Sequence, residues 1–123
     1  MDHHFFHYSK RIAPFVEAEL QQAQIKMDNG ASQEAFKHLE NAHVLGQAST
    51  YWHVKTHYRM LLWGWKEKQA GEVWGQLIRI AGAASKTALG LIPTGNTGGA
   101  NVSPFKPMPI DAPLAAIIRD AKG

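Results

Sequence analysis

His53-x-x-x-His57 sets two imidazoles one helical turn apart, and Glu40-x-x-His43 sets a carboxylate and an imidazole on neighbouring positions of the segment before it. Wound at 100° per residue, His53, His57, Met60 and Gly64 share one narrow sector. That sector lies at the centre of an apolar arc holding Trp52, Val54, Leu61 and Trp63, with Lys55, Arg59 and Lys66 on the other side. His43 points between Phe36 and Leu39, with Glu40 about 60° away. Inward imidazoles are costly unless paired. On facing helices such spacings converge on a metal ion. Imidazole and carboxylate suit zinc, copper, nickel, cobalt or iron better than calcium or magnesium. We therefore expect a site for a divalent transition metal built from His43, His53, His57 and Glu40. The competing reading is three core histidines held by a structural hydrogen-bond network.

Other polar residues carry weaker chemistry. Gln76 shares an inward face with Val73, Leu77 and Ile80 and could orient a ligand from behind. His38 falls opposite the apolar face of its segment and should be exposed, and Glu17 reads as a solvated acid. His3, His4 and His7 sit in a terminal stretch where solvation is enough to explain them. Met1-Asp2-His3 could wrap Cu(II) or Ni(II) in a square plane, as could any free amine two residues before a histidine. Gly95-Asn96-Thr97-Gly98-Gly99 lacks both the Lys-Ser/Thr and the following helix of a phosphate loop, so tight turns are expected there. A three-histidine ion with an open position could activate water, but no second acid or base is placed to help it. No catalytic residue is assigned.

These residues have to be positioned by helices. Ile12, Val16, Leu20, Ala23 and Met27 form a stripe that predicts a first helix over about 9–28, stopped by Asn29-Gly30. Ser32 reads as the cap of a second that ends at Gly46, followed by helices over about 50–68 and 70–88. Short connections imply antiparallel neighbours. Beyond Leu89 come five of the six prolines and a cluster of glycines, predicting an irregular tail over 89–123 that is packed on a helical core of 1–88. The tail's apolar residues, Leu89 to Ile110, predict an ordered strap. The expected architecture is one all-α domain of about four antiparallel helices. Asn29-Gly30 and Glu34 to Leu45 fit half of a tetratricopeptide hairpin, although no second copy follows at the repeat's period.

Composition narrows the partners. The chain has no cysteine, which excludes disulfides, thiolate zinc sites and a cysteine nucleophile. A net charge of +3 without a basic run is no nucleic-acid footprint. No apolar stretch has the length of a signal peptide core or a membrane span, so a cytoplasmic protein is expected. Four tryptophans read mostly as core, with one or two left to mark a self-association face.

The segments Glu40 to Gln47, His53-x-x-x-His57 with Met60-Leu61, Gly75-Gln76, Gly95 to Gly99 and Pro107-Met108-Pro109 together resemble a small bacterial family, domain of unknown function 3703. The resemblance implies a stand-alone bacterial protein and brings no activity, cofactor or catalytic residue with it. The expected function is thus a small metal-binding helical protein with a histidine site between helices. The alternative is a tetratricopeptide-like module that binds a protein or peptide, or a second copy of itself, without chemistry.

Overall fold

A computed structural model describes residues 3–84, 100 and 108–123, with the side chains of 7–82, 100 and 108–123. Its helices are α1 (His3–Asp28), α2 (Ser32–Gly46), α3 (Thr50–Lys66), α4 (Ala70–Ala84) and α5 (Ala112–Lys122), and no strand occurs among the described residues. The chain is all-α. In chain order α1 packs on α2, α2 on α3 and α3 on α4, while α5 returns to lie against α1 and α2. Among the described residues, no helix is long and apolar enough to cross a membrane.

The predicted stripe of α1 forms one wall of the core. Ile12, Val16, Leu20 and Ala23 are buried and Met27 is half-buried. The helix starts six residues earlier than the stripe alone implied, because Tyr8 extends the same face by one turn. Tyr8 donates its hydroxyl to the Leu45 carbonyl, and burial pushes its pKa up to about 12. That bond ties α1 to the end of α2. At the other end, Gly30 at φ +78° and the following turn deliver the chain into α2. Ser32 is not the cap: it is the first residue of α2, behind Ala31, which makes no side-chain capping bond.

The corner between α2 and α3 decides the site. Gly46 lies so close to Trp52 that a Cβ there would stand 2.7 Å from the tryptophan's own Cβ, so only glycine lets the two helices meet. Ser49 caps α3 by accepting from the Trp52 backbone N–H at 3.4 Å, and accepts a 2.6 Å bond from the Ser9 hydroxyl of α1. Trp52 donates its indole N–H to the Ser9 carbonyl at 3.0 Å, and Trp63 donates to the Ser32 carbonyl at 2.8 Å. Both tryptophans are core. Trp65 and Trp74 are instead 73% and 68% exposed, so the four divide evenly rather than falling mostly inside. Lys68 takes a left-handed φ of 57°, and α3 therefore stops at Lys66, two residues short of the expected end.

The largest departure is α5. Residues 112–122 form a helix where an irregular tail was expected. Pro113 sits in its first turn, where a missing N–H costs nothing. Leu114, Ile117, Ile118 and Ala121 then pack at helical spacing on the core, and Arg11 donates to the Ala121 carbonyl at 3.3 Å. The Gly95–Gly99 segment, most of the Leu89–Ile110 strap and Met1-Asp2 lie outside the described residues.

Candidate metal centre

His43 comes from the last turn of α2, and His53 and His57 from the first two turns of α3. Because α2 packs on α3, and Trp63 near the end of α3 bonds the Ser32 carbonyl at the start of α2, the two run antiparallel and those stretches lie side by side. The three imidazoles meet. Ring centroids stand 4.6 Å apart for His43 and His57, 4.7 Å for His53 and His57, and 4.9 Å for His43 and His53. One nitrogen from each ring lies within 4.8 Å of the other two. The residues are 1%, 1% and 2% exposed. Glu40, one turn before His43, is half-buried, carries an interaction of its own and is not part of this converging set. Glu17 is exposed.

Polar contacts fix which nitrogens are available. Gln76, wholly buried on α4, donates its amide N–H to the Glu72 carboxylate at 2.6 Å and also approaches Met60 Sδ at 3.4 Å. A carboxylate only accepts, so the amide oxygen of Gln76 must face the other way, towards His57. His57 therefore donates its Nδ1–H to that oxygen at 2.6 Å, and its lone pair sits on Nε2. His57 Nε2 faces His43 Nε2 at 3.1 Å. In a ring pair so close, His43 donates, or both lone pairs turn to a shared cation.

His53 is the anomaly. Both of its ring nitrogens are buried and neither has a hydrogen-bond partner among the described residues. A buried imidazole without a partner forfeits about 1–3 kcal/mol. Burial lowers its pKa to about 4. His57 is lowered to about 3, first by burial, then by His53, against the opposing bond to Gln76 and with a smaller push from Arg79. Burial thus favours the neutral form of His53 and His57, the form that binds metals.

Glu72 extends the chain of contacts outward. Besides holding Gln76, its carboxylate accepts the Ala100 backbone N–H at 3.1 and 3.2 Å. Ala100 packs on α4 where Gly75 has no side chain; a Cβ on Gly75 would stand 2.6 Å from that of Ala100. Sequence reasoning found Gln76 but missed Glu72, since an acid in a helix's first turn reads as a solvated partner of the helix dipole. It also misjudged His38, which is not free on the surface: its Nδ1 stands 3.3 Å from both oxygens of Glu19, which also accepts from Asn41 at 2.8 Å.

A family model described as a protein of unknown function (DUF3703) matches residues 10–118, a span that includes all three histidines, Gln76 and Glu72. No curated protein and no solved structure matches the chain.

Proposed function

The chain belongs to the DUF3703 family, and we propose that it is a small metal-binding helical protein whose His43, His53 and His57 hold one transition-metal ion. The observation that carries this reading is His53. A side chain with two orphaned ring nitrogens, 1% exposed and pointed into two other imidazoles, has no evident structural work to do. An ion would satisfy it. Nitrogens ~2.0 Å from one ion lie about 3.3–3.5 Å apart. The 3.1 Å between His43 and His57 is already close to that, and the outer limit of 4.8 Å asks only for side-chain adjustment. Imidazole donors point to zinc, copper, nickel, cobalt or iron. Glu40 lies outside the converging set, and the reading does not require it.

The test is the metal content of the full chain, expressed without a tag and incubated with each of these ions in turn. About one equivalent should remain after exhaustive dialysis for at least one of them. Retention of none would end the metal reading. Gln76 gives a subtler expectation. Gln76→Leu removes the acceptor that keeps the proton on His57 Nδ1, so affinity should fall about 10- to 100-fold in a chelator competition, with stoichiometry unchanged. An unchanged affinity would mean that Gln76 is filler.

A second reading has its own observation. Trp65, Trp74 and Leu77 are exposed and line an open apolar groove with Gly64 and Val73, where α3 hands over to α4. Such a groove favours an interaction module that takes a protein or peptide partner, or a second copy of this chain, and a chain that holds no metal would leave that reading in front.

A further inference from the structure

The triad's donor set contains no negative charge. His43, His53 and His57 each offer a neutral nitrogen, the chain has no cysteine, and no carboxylate among the described residues joins the group. Among the described residues, two charged groups act on the triad from one step back, and they oppose one another. Glu72 reaches the site through Gln76, and Arg79 acts on His57 with the opposite sign. An ion bound here therefore meets no charged donor among the described residues, in a core where its ligands are 1–2% exposed. The cost of burying a charge grows with its square, so a dication costs about four times as much as a monocation of similar size. A dication can avoid that cost by taking an anion into its fourth position, usually hydroxide from bound water. Cuprous ion needs none. It carries one charge, accepts imidazole nitrogens, and is content with three of them.

Building on the metal reading above, we propose that the triad is a site for Cu(I), held in three-coordination by one nitrogen each from His43, His53 and His57. His57 supplies Nε2, because Gln76 holds the proton on Nδ1. His43 supplies the Nε2 that faces it at 3.1 Å, after its proton moves to the other ring nitrogen. His53 brings a nitrogen that no other group claims. Each ring stays neutral: apart from metal coordination, the one change is that the His43 proton leaves Nε2 and Nδ1 takes one up. The protein would then carry or store cuprous ion rather than hydrolyse a substrate, since a three-coordinate monocation activates no water.

Full-length protein is titrated under argon with Cu(I) against bicinchoninate, and separately with Zn(II) and Co(II) against a chromophoric chelator. One equivalent of Cu(I) should bind about 100-fold or more tightly than either dication. X-ray absorption of the copper-loaded protein should show three nitrogen neighbours at ~2.0 Å and no fourth. Glu40→Gln should leave Cu(I) affinity within about threefold, whereas His53→Leu should lower it at least 100-fold. Zinc or cobalt binding as tightly as copper, a fourth oxygen neighbour, or a tenfold loss in Glu40→Gln overturns the cuprous assignment and leaves a metal site standing. If no ion binds in any arm, the metal reading falls with it.

Discussion

His53→Leu should abolish binding of the first metal equivalent and, in the metal-free protein, leave stability unchanged or raised by about 1 kcal/mol. The two effects have one cause. Neither nitrogen of His53 has a partner among the described residues, so the side chain contributes burial and an unmet polar demand. Leucine has similar volume and no such demand. His57→Leu should abolish binding too, but with the opposite effect on the metal-free fold. It strips the 2.6 Å bond from Gln76, leaving a buried amide oxygen without its donor, and should cost about 1–3 kcal/mol. His38→Ala removes only the half-buried pair with Glu19 on the far side of α2 and should leave metal binding intact. Denaturant melts of each variant, with and without metal, measure all of this. At a free metal concentration 100 times Kd the wild type should gain about 2.7 kcal/mol, and His53→Leu should gain nothing. A His53→Leu protein that still gains stability from metal would remove His53 from the site.

How far this was legible from the residues depends on what sets each feature. The convergence of His43, His53 and His57 follows from helical period and a three-residue turn, both written locally, so the wheels place all three on facing stripes. Gln76 was visible for the same reason. Glu40 shows the limit of that method. A position 60° from His43 can serve either the site or the rim, and the helix rotation that decides this is set by Gly46 against Trp52 and by Tyr8 against Leu45. The second of these spans 37 residues, and neither leaves a periodic signal. The His38–Glu19 pair spans 19 residues and is hidden likewise. The missed α5 had a local signal that was given the wrong sign. Pro113 was read as a breaker when at the start of a helix it is a favoured residue, and the apolar spacing of Leu114, Ile117, Ile118 and Ala121 follows it directly. The tautomer of His57 could not be read from spacing at all, because it is dictated from Glu72 through the amide of Gln76.

Acid should begin to loosen the metal-free protein near pH ~6.5, before carboxylates start to titrate. The folded pKa of His53 is lowered from 6.5 to about 4 and that of His57 to about 3, in both cases chiefly by burial. The unfolded chain binds protons at these rings from pH ~6.5 downward, while the fold resists them. Their contribution to stability is therefore complete above pH ~6.5 and is lost as pH falls through the lowered values. For His53 the gap corresponds to roughly 3 kcal/mol between pH 6.5 and 4, a large part of a small domain's total. His57 adds to the loss, though not independently, because a charge on either ring opposes a charge on the other. Bound metal should move the acid transition to lower pH, since protons must then displace the ion as well as enter the core. The check is a series of denaturant melts of metal-free wild type and His53→Leu between pH 7.5 and 4. Wild type should lose about 3 kcal/mol more than the variant across that interval, with the two curves parallel above pH 7. Parallel curves throughout would mean that His53 takes its proton within the folded state, through an opening of the α2–α3 corner, and that the core around the three rings is looser than their burial implies.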